Sequence, residues 1–230
     1  MSPSQLAVTA DASASTDTDA TGIATYAFKW GDGSGQTGPQ AAATAPHVYT
    51  AAGTYTVTVT VTDTAGNAAT ATTQVTVRQN LATNFGFETN TTGWNTSGGD
   101  TGVTLARVAG GHSGGFAAQL ANANATTATT LLNDSPNWVT TTSSGAYVGS
   151  MWVRADTAGA TLTLRFREYN GSTLVGTGTS QVKLTTSWQP ITLTYTPVAP
   201  GVSTLDLNAY ITKAAAGTGF YADDVAIYKP

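Results

Sequence analysis

The chain has 230 residues, enough for one large domain or two ordinary ones, each able to bury more than half of the surface its unfolded chain exposes. Charged residues make up only 10%, and a formal net charge of -4 argues against a nucleic-acid partner, which needs a basic face to neutralise phosphates. There is no cysteine, which excludes disulfides and cysteine-ligated zinc, and no apolar run reaches the roughly 18 residues that span a membrane.

Thr, Ala, Gly, Val and Ser dominate and no stretch sustains a helical period, so the expected class is all-β with almost no helix. Met1, Ser2, Pro3 and Ser4 carry neither the basic segment nor the apolar run of a signal peptide. The start reads as an artificial one on a fragment of a larger multidomain bacterial protein, secreted or extracellular, and monomeric.

Residues 6–11 alternate as a strand, and 13–21 form a polar loop carrying Asp17 and Asp19. A second strand, 23–30, stops at Gly31-Asp32-Gly33-Ser34-Gly35, where glycines allow positive φ and Asp32 caps its own turn. Alternation is most regular over 53–63, with Tyr55, Val57, Val59 and Val61 inward and Thr outward. Ala65-Gly66-Asn67 turns the chain and 69–77 runs back antiparallel, which makes a small sandwich of a first domain, residues 1–80. Trp30 reads as a core aromatic in preference to an exposed sugar platform, and His47 as a hydrogen-bonded structural residue, since no paired nucleophile is apparent.

The stretch Asp11-Ala12-Ser13-Ala14-Ser15, followed by Tyr26-Ala27-Phe28-Lys29-Trp30-Gly31-Asp32-Gly33-Ser34, His47-Val48-Tyr49, Ala52-Gly53-Thr54-Tyr55-Thr56-Val57 and Val61-Thr62-Asp63, resembles the polycystic-kidney-disease (PKD) domains. The resemblance implies an immunoglobulin-like β-sandwich acting as a spacer or interaction module, without chemistry of its own. Lys29 and Trp30 depart from the acidic residue and Phe usual in the family, and neither threatens the fold.

The second domain, residues 81–230, again reads as short strands: 102–107, 116–120, 146–154, 161–169, 189–196, 203–211 and 220–228. That spacing suits a two-sheet β-jelly-roll sandwich. The last strand carries Asp223 and Asp224 just before an apolar pair. A buried unpaired carboxylate is costly, and the chain has only nine Lys and Arg, so a bound cation is a candidate partner. Strand alternation sets Asp223 on one face with Val225 and Ile227 and leaves Asp224 the more exposed.

Asn84-Phe85-Gly86-Phe87-Glu88 with Gly93-Trp94, His112-Ser113-Gly114, Trp152-Val153-Arg154, Trp188 and the closing Tyr221-Ala222-Asp223-Asp224-Val225 resemble the carbohydrate-binding modules of the family 4, 9 and 22 type. The resemblance implies a structural Ca²⁺ where the first and last strands meet. Carried over position by position, Glu88 and Asp223 give carboxylates, and Gly86, Ala109 and His112 give main-chain carbonyls; Ca²⁺ takes 6 to 8 oxygens and accepts such a mixture. Glu88 and Asp223 left solvated, or paired with Arg107, is the alternative. Zinc at His112 lacks a second His or Cys in this domain.

Sugar sites combine a flat aromatic with fixed hydrogen-bonding groups. In 161–169 the residues Leu162, Leu164 and Phe166 point to the core and leave Thr163, Arg165, Arg167 and Tyr169 outside; Leu205, Leu207, Ala209 and Ile211 likewise leave Asp206, Asn208 and Tyr210 outside. In 147–154, Met151 and Val153 point in and Ser150, Trp152 and Arg154 out. One groove carrying Trp152, Arg154, Arg165, Arg167, Asp206, Asn208 and Tyr210 is expected, its arginines pointing to an acidic or uronic-acid-containing glycan; surface ion pairing of Arg165, Arg167 and Asp206 is the alternative. Trp94 and Trp188 read as packing, and Trp138 as a loop residue at the groove's rim.

A glycosidase needs two carboxyl groups across a cleft, and only Glu88 and Glu168 are glutamates, the first better placed for calcium. Catalysis is not expected. The reading is non-catalytic binding of a polysaccharide or oligosaccharide beside the catalytic domain of a secreted polysaccharide-degrading enzyme; the competing reading is structural or adhesion domains with no glycan site.

Overall fold

Sixteen β-strands and no helix make up the regular structure of the described residues, 6–18 and 21–229 of a computed structural model. Asp19 of the first polar loop lies outside them. The chain forms two units, Met1–Gln79 and Asn80–Pro230. Asn80, which the sequence reading left in the first domain, bridges to Tyr228 of the last strand.

In the first unit β1 (Ala7–Asp11) pairs antiparallel with β4 (Thr44–Val48), while β3 (Thr37–Gln40), β2 (Ile23–Lys29), β5 (Gly53–Asp63) and β6 (Ala68–Val77) form a four-stranded sheet in that order. Phe28, Trp30, Ala45, Tyr49, Val57 and Val77 are the core between them. Of the inward row on β5 only Val57 is fully buried; Tyr55, Val59 and Val61 stay half-buried, because a two-stranded sheet covers only part of a four-stranded one. Trp30 is 1% exposed, stacks on His47 at 4.5 Å and donates its indole N–H to Thr37 Oγ1 at 2.9 Å. Asp32 accepts from the Ser34 hydroxyl (2.6 Å) and from His47 Nε2 (2.8 Å). These two bonds, Ser34 first, hold its carboxyl below the usual carboxylate range. Trp30, Asp32 and His47 thus serve the sandwich itself.

In the second unit β7 (Trp94–Asn95), β10 (Ala128–Asp134), β12 (Thr161–Asn170), β13 (Thr173–Lys183) and β15 (Thr204–Ala214) form one sheet, ordered β13-β12-β15-β10-β7. The other contains β8 (Val103–Ala109), β9 (Phe116–Asn122), β11 (Tyr147–Arg154), β14 (Gln189–Tyr195) and β16 (Gly219–Tyr228), ordered β14-β11-β16-β9-β8. Leu162, Leu164 and Phe166 of β12 and Leu205, Leu207 and Ala209 of β15 share one core with Met151, Val153, Ile191, Leu193, Phe220, Val225 and Ile227 of the second sheet. Each large apolar side chain buried there contributes about 1.5–3 kcal/mol.

Strands β10 and β13 were not expected from sequence. The inward positions of β13 include Gly176 and Gly178, opposite Glu168 and Phe166. A Cβ there would stand 2.0 Å from the Tyr195 hydroxyl and 2.7 Å from Tyr195 Cδ2 respectively. The ring of Tyr195, from β14, takes the place of the apolar side chains by which a strand is normally recognised.

Glu168 is the one charged residue on the inward row of β12 and is 0% exposed. Its carboxylate accepts from the Tyr195 hydroxyl (2.7 Å), the N–H groups of Val198 and Ala199 (2.8 Å each) and the Ser203 hydroxyl (2.5 Å). Burial alone would raise its pKa; the four donors, Ser203 foremost, outweigh that and hold it below the usual 4.5. One carboxylate therefore ties β12 to the end of β14 and to the loop entering β15. Glu168→Ala is expected to cost about 3–5 kcal/mol in urea denaturation at pH 7, because it strands buried donors. A depressed native pKa gives stability that is present above 4.5 and lost as pH falls through the native value, so the gap between wild type and variant should close in acid.

Candidate functional site

The pairing of β12 with β15 sets Arg165 opposite Asn208, Arg167 opposite Asp206 and Thr163 opposite Tyr210. All six face away from the core, since the alternate residues on both strands fill it. The neighbouring strands extend these rows: Thr179, Thr177 and Gln181 of β13 on one side, Asn133 and Leu131 of β10 on the other. Asn95 of β7 lies beyond Asn133, so the row Thr179, Arg165, Asn208, Asn133, Asn95 crosses all five strands.

The side chains on this face form a connected network. Arg165 Nε donates to Asn208 Oδ1 at 2.9 Å, and its guanidinium carbon lies 4.7 Å from the Tyr210 ring centroid. Asn208 Nδ2 donates to Asp206 Oδ1 at 2.9 Å, and Arg167 Nη2 donates to Asp206 Oδ2. Asp206 and Asn208 are 5% and 1% exposed, so the Arg167–Asp206 ion pair, one of those the alternative reading named, forms with its acid buried. Asn133, also buried, donates Nδ2 to the Asp134 carbonyl at 2.7 Å, while its Oδ1 and the Nε of Arg167 have no partner. Asn133 escaped the sequence reading because β10 did; only its place beside Leu131 and Leu132 in a short apolar run hinted at a strand.

Asp134 ends the β10–β15 ladder. After the pair Asn133 and Asn208 its carboxylate, 0% exposed, accepts the next N–H of β15, that of Leu207, at 3.0 Å. Burial, and then the charge of Asp206, push its pKa up to about 8.

Trp152 and Arg154 do not join this face. They point outward as expected, but β11 belongs to the opposite sheet, so the single groove of seven residues divides into five on one sheet and two on the other. Alternation along a strand reports inside against outside and carries no information about which sheet the strand enters. Trp152 stacks on His112 at 3.6 Å. Arg154 lies over the Tyr221 ring at 3.7 Å, bonds Asp156 at 3.2 Å, and stands 5.4 Å from the Trp188 ring centroid. Trp188, expected in the core, is half-buried on this outer face, edge-on to His112. Trp94 is core, 6% exposed, and Trp138 packs edge-on against it at 6.3 Å.

The candidate metal residues gather on the β11–β16 sheet. A register shift between Ser150 and Trp152, with Asp224 at φ 47°, marks a bulge that places Asp223 opposite Trp152. The bulge breaks the alternation, so Asp223 parts from the face of Val225 and Ile227. Nor is Asp224 exposed: at 5% it accepts from the Ser113 hydroxyl (2.6 Å) and pairs with His112 Nδ1 (2.7 Å).

Asp223 accepts the N–H groups of His112 (2.7 Å) and Ser113 (3.1 Å), and Glu88 those of Gly115 (3.0 Å) and Phe116 (3.1 Å). A Cβ at Gly86 would lie 3.8 Å from Asp223 Oδ1 and 3.9 Å from Glu88 Cγ, so the two acids meet at Gly86. The loop from Ala109, which ends β8 opposite Phe116, closes tightly over them: a Cβ at Gly111 would come within 2.9 Å of Asp223 Oδ2, and one at Gly114 within 2.3 Å of Glu88 Oε1. Arg107, the alternative partner, donates to the Phe87 carbonyl at 2.9 Å and to that of Glu88, and lies over the Phe116 ring. Burial pushes Asp223 up to about 6. Two acids near one glycine, one fully buried, fit a hard oxygen-seeking cation; among the described residues no three His, Cys, Asp or Glu converge, so its further donors would be main-chain carbonyls.

A two-sheet sandwich that carries a polar, aromatic-backed face, preceded in the chain by a small immunoglobulin-like unit, has the build of a binding module. Residues 79–216 match the model of the carbohydrate binding domain of families 4 and 9, residues 2–77 match that of the PKD domain, and the chain belongs to the former family with a PKD domain ahead of it. No curated protein sequence matches the chain. Among solved structures, one of carbohydrate-binding modules of the β-sandwich superfamily, reported for promiscuous specificity, is 21% identical with a TM-score of 0.61 over 96% of this chain and 91% of its own. The module TmCBM61 in complex with β-1,4-galactotriose is 18% identical, TM-score 0.50, covering 66% and 99%. The CBM22-1 xylan-binding domain of Xyn10C from Paenibacillus barcinonensis is 19% identical, TM-score 0.50, covering 66% and 97%. At these identities the likeness is one of fold.

The raised pKa of Asp134 has a measurable consequence. Its native form keeps a proton that the unfolded chain has released, so the stability it gives is full below 3.8 and is lost as pH rises towards about 8. Wild-type stability should fall across that window by at most about 1.4 kcal/mol per pH unit on this account. In Asp134→Asn the slope should flatten, read by urea denaturation at pH 5, 7 and 9.

Proposed function

We propose that the outer face of the β12–β15 sheet is the saccharide-binding surface of this carbohydrate-binding domain. The observation that carries it is the in-register set Arg165, Arg167, Asp206, Asn208 and Tyr210 on two adjacent strands, where donors, acceptors and a ring lie side by side. A sugar ring presents the same combination, a polar rim around an apolar face. The family match to a carbohydrate binding domain supports the reading. Within a secreted parent protein the module would hold a polysaccharide-degrading catalytic domain at its substrate by raising local concentration, with the PKD domain as spacer.

Affinity electrophoresis against a polysaccharide panel tests the placement. Tyr210→Ala is expected to weaken retardation about tenfold or more, the scale of losing a ring contact and a positioned guanidinium, whereas Trp152→Ala, on the opposite sheet, should leave it within twofold. The reverse pattern would move the site to the other face.

We also propose that Glu88 and Asp223 hold a structural Ca²⁺ together with carbonyls from Gly86 and from the loop that includes Ala109 and His112. The ion would supply charge to two acids that lack a cationic side-chain partner among the described residues. Melting temperature should fall on chelation and return with added Ca²⁺, since an ion bound only by the native state stabilises it. Unchanged melting with no metal by elemental analysis would discard the site.

A further inference from the structure

We infer that this face selects saccharides bearing carboxylates, and that Arg165 is the group that takes the uronate; the inference rests on the saccharide-binding reading above. The two arginines are not equivalent. Arg167 has its counter-ion in Asp206. Among the described residues Arg165 has none: its Nε donates to the neutral amide of Asn208, its guanidinium carbon lies 4.7 Å from the Tyr210 ring centroid, and neither terminal nitrogen has a hydrogen-bond partner. A guanidinium fixed at Nε with both terminal N–H pairs free is arranged for two parallel hydrogen bonds to one carboxylate.

The surrounding charges leave that site positive. Lys183 lies on the same face, two rows from Arg165 on the neighbouring strand, and has no ion pair among the described residues. Against Arg165, Arg167 and Lys183 stands Asp206. Burial and the charge of Asp206 raise the pKa of Asp134 to about 8, which weakens its offset of the guanidinium. The chain as a whole carries a net charge of -4, which opposes non-specific attraction of a polyanion. Acidic saccharides would have to be recognised locally, by this cluster, against the field of the remainder.

Isothermal titration of the full chain with oligogalacturonate, oligomannuronate and glucuronate-substituted xylo-oligosaccharides, each beside its neutral counterpart, tests this. At low salt at least one uronate ligand should bind about tenfold to a hundredfold more tightly than its counterpart, the range for hydrogen bonds to a charged group. The preference should shrink as salt is raised. Arg165→Gln should remove the preference by lowering affinity for the uronate ligand at least about tenfold more than for its neutral counterpart, and Arg165→Lys should keep part of it; unchanged melting temperatures show that both variants fold. Equal or tighter binding of the neutral sugars, or an Arg165→Gln variant that weakens both kinds alike, overturns the inference and leaves the saccharide-binding face standing. Failure of every saccharide to bind overturns both.

Discussion

The register between β12 and β15 is the constraint on which the second domain depends. Side chains alternate with a period of two, so a slip of β12 by one residue would turn Arg165 and Arg167 into the core and expel Leu162, Leu164 and Phe166. The apolar row thus decides where the polar row stands. It also sets Asn208 beside Arg165 and Asp206 beside Arg167, the contacts that distinguish the two guanidinium groups. Core formation and construction of the face are here one event, and disruption of the core would be felt at the face.

Buried carboxylates show how differently one chemical group is handled across this domain. Glu168 is surrounded by hydroxyl and amide donors, and the balance favours its charged form despite burial. Asp134 has two main-chain donors, at Leu207 and Trp138, and a like charge nearby, and the balance favours its proton. Asp223 lies between these, with main-chain donors and a neighbouring acid, in the bulge of β16. Number of donors separates the first two. The third is where an external cation would alter the balance most.

Much of the fold was legible from periodicity. The rows of β5, β12 and β15 point as alternation requires, and the roles of Trp30, Asp32 and His47 in the first sandwich followed from turn chemistry and the lack of a paired nucleophile. Strands whose inward residues are small were illegible: β13 fills its share of the core with the ring of Tyr195 from another strand, a long-range contact no local window contains. The face was legible to the same extent. Arg165, Arg167, Asp206, Asn208 and Tyr210 could be set on one side of their strands, while the assignment of Trp152 and Arg154 required knowing the sheet. The bulge at Asp223 and Asp224 was hidden because an inserted residue leaves no mark on composition.

The two outer faces differ in how far their polar groups are paired. On the β11–β16 sheet, Trp152 is covered by His112, His112 is held by Asp224, and Arg154 is spent on Tyr221 and Asp156. Tyr221 gives its hydroxyl hydrogen to Asp156 and accepts from Gln119. On the β12–β15 sheet the network closes only part-way: Arg167 and Asp206 neutralise each other, and Arg165 ends the chain of bonds with its terminal nitrogens unmatched. A polar surface whose hydrogen bonds are already made has little to gain from a ligand. The face with an oriented, unmatched donor does, and that asymmetry is the ground on which the β12–β15 sheet is proposed as the binding surface even though the larger aromatics lie on the other.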